Sequence, residues 1–533
     1  MSSGPLGDSP AAQSVEVEAQ GGPAAPPEQF AEPSLIESVI SRTETEGAAG
    51  ATARQSGVLE RFLGESSTER AAALWVTQSG WPRQPENCRQ LSRYLSRDIA
   101  RLDDMLQRQV NAILHAPAFQ KLESSWRGLR YLTEQVPEGE NTKIKVLSVS
   151  WKELEKDFER SMEFDQSQLF RMVYSNEFGM AGGEPYGVLL GDYEIHPRPG
   201  AGHPTDDLAI LRSVSGVAAA AFAPFISAAD PSMFGLNSFT GLEQPLDLAG
   251  AFQQADFVKW RSFRQTEDAR FVGLTAPRIL MRLPYEDDSN RTDGFRFKED
   301  VETADRSRYL WGNACYAFGA VLVRSFAEHG WLADIRGVND ERYGGGIVED
   351  LPVQSFGTDS LGIAPKSSTD AMITDVQEKQ LSELGFIPLC HCKDTDCTTF
   401  YSNQSVQEPK DYDRESARAN ARLSAMIQYM LCVSRVAHYV KVIGRDKMGG
   451  FATPSDCESY IERWLQNYII NDDKASYEQK AAYPLREARV QVRETPGKPG
   501  SYQSVIHLKP HFQVDQVVTA VKLTTELVAA AGG

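Results

Sequence analysis

The chain has 533 residues, with 73 acidic against 55 basic side chains for a formal net charge of −18, and seven cysteines. That length exceeds what one hydrophobic core supports, so two or three domains are expected, and the acidic balance argues against a general binder of nucleic-acid phosphates. The opening MSSGPLGDSPAAQ lacks the basic and apolar order of a secretion signal, the longest apolar run (Val217 to Ile226) is far short of a bilayer span, and an odd number of scattered cysteines fits reduced thiols in a cytosol.

Residues 1–58 are rich in Ala, Gly, Pro, Ser and Glu, a composition that buries too little apolar surface to offset chain entropy, and a disordered tail is expected there. Within it Ser34 and Glu37 form a capping-box pattern, and Leu35, Ile36, Val39 and Ile40 share a helical face, predicting a short helix near 34–42 with nothing adjacent to pack on. Residues 59–136 read as helical. Ile99, Leu102, Met105, Leu106, Val110, Ile113 and Leu114 form one apolar stripe that ends at Pro117. Pro117 suits the first turn of a second helix, where Phe119, Leu122, Trp126, Leu129 and Leu132 follow at helical spacing. The plain reading of this second stripe is a packing face.

Residues 137–402 mix helices and strands, giving a mixed α/β class for the chain. TKIKVLSVS at 142–150 alternates polar and apolar residues in the manner of a half-buried strand. Helices are predicted over 165–178, 205–222, 305–329 and 375–384, and strands over Gly187–Leu190, Ala333–Val338, Phe386–Leu389 and Thr398–Tyr401. Residues 403–533 begin with helices over 415–443 and 455–470 and close with strands at Ala488–Glu494, Tyr502–Leu508 and Val517–Val528. In the last strand Val517, Val521, Leu523 and Leu527 share one face.

No phosphate-binding loop, nucleophile elbow or paired-histidine zinc motif is present, so no catalysis is expected. Gly344, Gly345 and Gly346 lack a following Lys-Ser/Thr and read as a turn before a strand. Asp192 and Glu194 lie two apart on a predicted strand, where a solvated edge is a simpler reading than a catalytic pair. Cys390, His391, Cys392 and Cys397 are the best metal candidate, but a C-x-C start departs from structural-zinc spacing, and neither metal nor cofactor is expected. His438 lies on an apolar helical face and reads as a hydrogen-bonded core or interface residue.

The wording of several stretches adds a resemblance. FQKLESSWRGLRYL, at the second helical stripe, closely resembles the signature of the large subunit of the type VI secretion contractile sheath, the VipB/TssC family. Further similar stretches are FDQSQLFRMVYSNEFGMAGGEPYGVLLGDYEIHP (164–197), DARFVGLTAPRILMRLPY (268–285) and YLWGNACYAFGAVLVRSFAEHGWLADIRGV (309–338). GGGIVEDLPV, SELGFIPL, SRVAHYVKVIGRDKMG, YPLREARVQV and GKPGSYQSVIHLKPHFQVDQ continue it in order, so the likeness covers roughly residues 60–530. It implies a structural protein with a multi-domain contractile-sheath fold like that of phage tail sheaths. Such a subunit pairs with a small sheath subunit (VipA/TssB) in the bacterial cytoplasm, stacks with further copies around a tube of Hcp on baseplate components, and contracts, with no nucleic acid and no membrane insertion. On that resemblance residues 59–136, with Phe119, Leu122, Trp126 and Leu129, are expected to dock the small subunit. Val517, Val521, Leu523 and Leu527 are expected to pair between protomers. The Leu35 to Ile40 helix resembles the segment by which the AAA+ unfoldase ClpV recognises the family. A single-component phage-type sheath and an α/β enzyme without a recognisable motif are the alternatives.

Overall fold

The computed structural model describes residues 56–511 apart from 79–80, 82–84, 86, 138–141, 181, 201, 288–294, 302–305, 339–344, 354–366, 393–396, 447–453, 473 and 495–501. The expected helix at Leu35, Ile36, Val39 and Ile40 and the closing strand with Val517, Val521, Leu523 and Leu527 lie outside the described residues. Two compact units divide the chain, residues 1–99 and 100–533. In the first, helices α1 (Ser56–Leu63) and α2 (Thr68–Gln78) meet through Phe62 and Trp75, with ring centroids 5.3 Å apart. The indole N–H groups of Trp75 and Trp81 both donate to Asp98, at 3.0 and 2.8 Å, on the long helix α3 (Cys88–Leu114).

In the second unit α4 (Pro117–Glu134) and α5 (Trp151–Arg160) precede a six-stranded sheet of order β1-β2-β3-β7-β8-β6. β1 (Leu189–Ile195), β2 (Phe225–Ala229), β3 (Val272–Ala276) and β7 (Ile387–His391) run parallel; β8 (Thr398–Phe400) turns back along β7, and β6 (Ile347–Val348) pairs antiparallel with β8. Every residue of β2 and β3 is buried, as expected of parallel strands covered on both faces. The alternation of strand side chains sorts the core into two layers. Phe225, Val272, Leu274 and Phe386 meet α6 (Asp207–Ala221) and α7 (Val258–Arg264) in one, whereas Ile226, Ile387, Leu389 and Phe400 meet α8 (Cys315–His329) in the other. Gly273 of β3 faces the second layer because a Cβ there would stand 2.8 Å from Ile226 and Ile387. A short pair, β4 (Ile279–Leu280) with β5 (Trp311–Gly312), lies beside the sheet.

Helix α9 (Asp375–Glu383) leads into β7, and α10 (Glu415–Ser424), α11 (Ile427–Asp446), α12 (Pro454–Gln466) and α13 (Tyr477–Ala482) follow the sheet. The described residues close with the antiparallel hairpin of β9 (Leu485–Glu494) and β10 (Tyr502–Pro510), packed on α12 around Ile461, Leu465, Leu485, Val490 and Val492. Among the described residues no helix is long and apolar enough to cross a membrane.

Several sequence expectations are corrected. Among the described residues, 142–150 join no ladder; they run as irregular chain, leaving Val146 and Leu147 exposed. The helix expected over 165–178 is broken. Ser167 caps Phe170 and Asp157 takes the Gln168 and Leu169 N–H groups, and the segment Arg171–Phe178 then winds as a π-helix that brings Phe170, Tyr174 and Phe178 into ring contact. The helix expected from 305 begins only at Cys315, because β5 pairs with β4 first and the Asn313 carboxamide accepts from the Cys315 N–H at 2.8 Å. Ala333–Val338 forms no strand; Gly337, at φ 73°, turns the chain and donates its N–H to Phe400. Its partner turn at Gly345 and Gly346 leads directly into β6, as the turn reading of the glycine run expects.

Candidate docking surface

The surface is built on α3 and α4 within the second unit. A helix with an apolar stripe normally turns it to a core, but here the stripes are open. Leu102, Met105, Leu106 and Ile113 of α3 are all exposed. On α4, Leu122 is 56 % and Trp126 67 % exposed, with Phe119 beside them, three and four residues apart on one face. Leu129 and Leu132 point elsewhere: Leu132 is buried in the second core layer and Leu129 packs half-buried against it. Three of the four docking residues expected from sequence thus share an open face, and the fourth belongs to the contact that holds the helix.

That contact explains the SSWRGLRYL wording. Gly128 lets α4 approach α8 so closely that a Cβ would stand 2.3 Å from the Tyr316 ring. Ser125 donates to Asp192 of β1, and the Tyr131 hydroxyl donates to the Glu349 carbonyl at 2.8 Å. Burial, reinforced by Asp192, pushes the Tyr316 phenol far above its usual range, so it packs as a neutral ring. Asp192 is therefore engaged by a helix contact on the edge strand β1.

A buried ionic network anchors the same helix from its other side. Arg282 donates to Glu123 of α4 at 2.8 Å and to Glu299 at 3.0 Å, and His115, just beyond α3, lies 3.3 Å from Glu299. Arg127 adds bonds to Glu123 (2.8 Å) and to the Tyr285 hydroxyl (3.0 Å). Burial by itself would raise the Glu299 carboxyl, but the Arg282 guanidinium and the Tyr285 N–H hold it below the usual carboxylate range. Both groups are thus charged and mutually satisfied, the condition under which a buried pair is tolerated. The network and the Gly128 contact fix the backbone of α4 while its apolar face stays in water.

The VipB family model described as EvpB/VC_A0108, tail sheath N-terminal domain, matches residues 96–407, and the companion VipB_2 model, tail sheath gpW/gp25-like domain, matches residues 416–527. The chain belongs to the VipB tail sheath family. A curated relative, the type VI secretion system sheath protein TssC1 of Pseudomonas aeruginosa, is 41 % identical over 435 residues, spanning 81 % of this chain and 85 % of that one. Solved structures resemble it distantly. The anti-feeding prophage baseplate has TM-score 0.35 at 10 % identity, covering 73 % of this chain and 84 % of that one. The contracted anti-feeding prophage sheath has TM-score 0.31 at 11 % identity, covering 59 % and 66 %. This VipB-family chain is a large sheath subunit of a type VI secretion system, and its family is one of structural sheath proteins.

The remaining sequence candidates lie at β7 and on α11. Cys390 and Cys392 alternate with His391 along and just beyond β7, so the histidine is directed to the opposite face from the two thiols. Burial pushes the Cys390 thiol up, leaving it unreactive. His438 Nε2–H donates to the Ala221 carbonyl, 2.9 Å away, and the ring lies edge-on to Phe178. With a carbonyl as the partner Nε2 is the protonated nitrogen, and burial lowers the ring to about 4, so it is a neutral core histidine. Sequence reasoning missed Val146 and Leu147, 68 % and 51 % exposed, because alternation signals a strand without saying whether a neighbour is available to pair with it.

Proposed function

We propose that the open apolar face of α3 and α4 docks the small sheath subunit (VipA/TssB), and that the resulting heterodimers stack with further copies around an Hcp tube on baseplate components. The carrying observation is an apolar stripe left in water on a helix whose other sides are pinned by Gly128, Asp192 and the Arg282 network. A loosely held helix would turn such a stripe inward; a fixed one presents it to a partner. The unmatched charge of −18 opposes self-association of the free chain and favours assembly through a second component. On the same reading Leu35, Ile36, Val39 and Ile40 form the helix that ClpV grips after contraction, and Val517, Val521, Leu523 and Leu527 pair between protomers. The work is mechanical, without catalysis, in the bacterial cytoplasm.

Expression of the chain alone and together with the small subunit, followed by negative-stain microscopy, tests this. Tubules are expected only on coexpression. Tubules from the chain alone would instead place it with single-component phage-type sheaths.

A further inference from the structure

Where β1 ends and α6 begins, two histidines and a carboxylate converge. The side chain of Asp207 is fully buried, and its two oxygens face His196 Nδ1 (3.1 Å) and His203 Nε2 (2.6 Å). The imidazoles lie face to face, centroids 3.9 Å apart and 15° from parallel, and both remain partly open to solvent. Helix capping does not account for Asp207, because the preceding Asp206 performs that role by accepting from the Ala209 N–H.

We propose that His196, His203 and Asp207 form a binding site for one divalent transition-metal ion of the zinc, nickel or cobalt class. Imidazole nitrogen with carboxylate oxygen is the donor set these borderline ions favour, and three protein ligands leave a position for water. The groups around the cluster support that assignment. The Trp151 indole N–H donates to Asp207 Oδ1 at 2.7 Å and the His196 main-chain N–H donates to Oδ2 at 2.9 Å, fixing the carboxylate from behind. Asp230 Oδ2 lies 3.4 Å from His196 Nε2, a position that favours the proton there and presents Nδ1 as the ligand atom. The Glu194 carbonyl, 3.1 Å from Nδ1, adds an oxygen, and the Thr205 hydroxyl, 2.7 Å from His203 Nε2, stands beside the second ligand. The present ligand separations are those of hydrogen bonds. An ion about 2.0 to 2.2 Å from each atom would spread them by some tenths of an ångström. Three carboxyl groups, of Asp207, Asp230 and Glu194, surround the cluster, and the nearby Arg278 pairs with Asp370 at 2.7 Å while also facing Glu194 and Asp230. Bound metal would tie the end of β1 to the start of α6.

The test uses the full-length untagged chain, stripped with chelator and dialysed, titrated calorimetrically with zinc chloride and then with cobalt chloride, whose visible absorption reports tetrahedral or five-coordinate ligation. One equivalent is expected to bind, raising the melting temperature as free metal rises. His196→Gln and His203→Gln should each lower affinity at least tenfold, and Asp230→Asn, outside the ligand set, by about tenfold. Substituting Cys390, Cys392 and Cys397 together by Ser should leave the titration unchanged. Circular dichroism of each variant checks folding, and the two histidine variants are independent, so loss of one protein leaves the other to decide. No stoichiometric binding by the wild type, or binding that survives both histidine substitutions, would overturn the proposal.

Discussion

Replacing Trp126 by Asp separates docking from folding. The ring is 67 % exposed in the isolated chain, so the fold draws little on it, whereas a partner that covers it gains most of its area. A tryptophan buries about 150 to 250 Å² when covered; two thirds of that at about 25 cal/mol per Å² is roughly 2.5 to 4 kcal/mol. Because 1.4 kcal/mol is a factor of ten, affinity for the small subunit should fall on the order of a hundredfold to a thousandfold, and an unpaired carboxylate in the contact adds to the loss. Thermal unfolding of the variant alone should match the wild type within about 0.5 kcal/mol, as for a surface change. The measurement is a calorimetric or pull-down titration with purified small subunit, run beside the melt. Unchanged affinity with an unchanged melt would refute the assignment of this face; a lowered melt would show that Trp126 supports the fold.

Three further outcomes follow from the anchoring of the fold. Gly128→Ala should cost about 1 to 3 kcal/mol in thermal unfolding despite alanine's better helix propensity, because the added methyl meets the Tyr316 ring at 2.3 Å; a stabilised variant would show that α4 shifts freely. Glu299→Ala leaves the buried Arg282 with Glu123 alone and should lower stability by about 3 to 5 kcal/mol in urea unfolding, with Glu299→Gln costing less. His438 is held near pKa about 4, below its usual 6.5, so it contributes fully above pH 6.5, and that contribution is lost as pH falls from 6.5 toward 4. The loss should approach about 3 kcal/mol and be missing from the same pH series on His438→Leu; identical slopes for the two proteins would contradict a neutral buried ring.

The local rules of chain chemistry were enough for α4, α6, α9, β7, β8 and the β9–β10 hairpin, because each carries its signal within its own residues: proline in a first turn, an apolar period, a run of β-branched and aromatic side chains. The family, too, was legible in the order of its sequence stretches. Periodicity could not say which way a stripe faces. Phe119, Leu122 and Trp126 read as a core face, and they lie in water because Gly128, Ser125 and Glu123, residues with no apolar signal, make the contacts that set the helix's rotation. Likewise Asp192 and Glu194 read as a solvated strand edge, whereas Ser125, far away in sequence, takes Asp192. The histidine and carboxylate cluster went unread for the same reason. His196, His203 and Asp207 show no metal spacing in a line of text; they meet because the chain leaves β1, loops, and enters α6 beside Trp151 and Asp230, which only the packing of the sheet brings to one place.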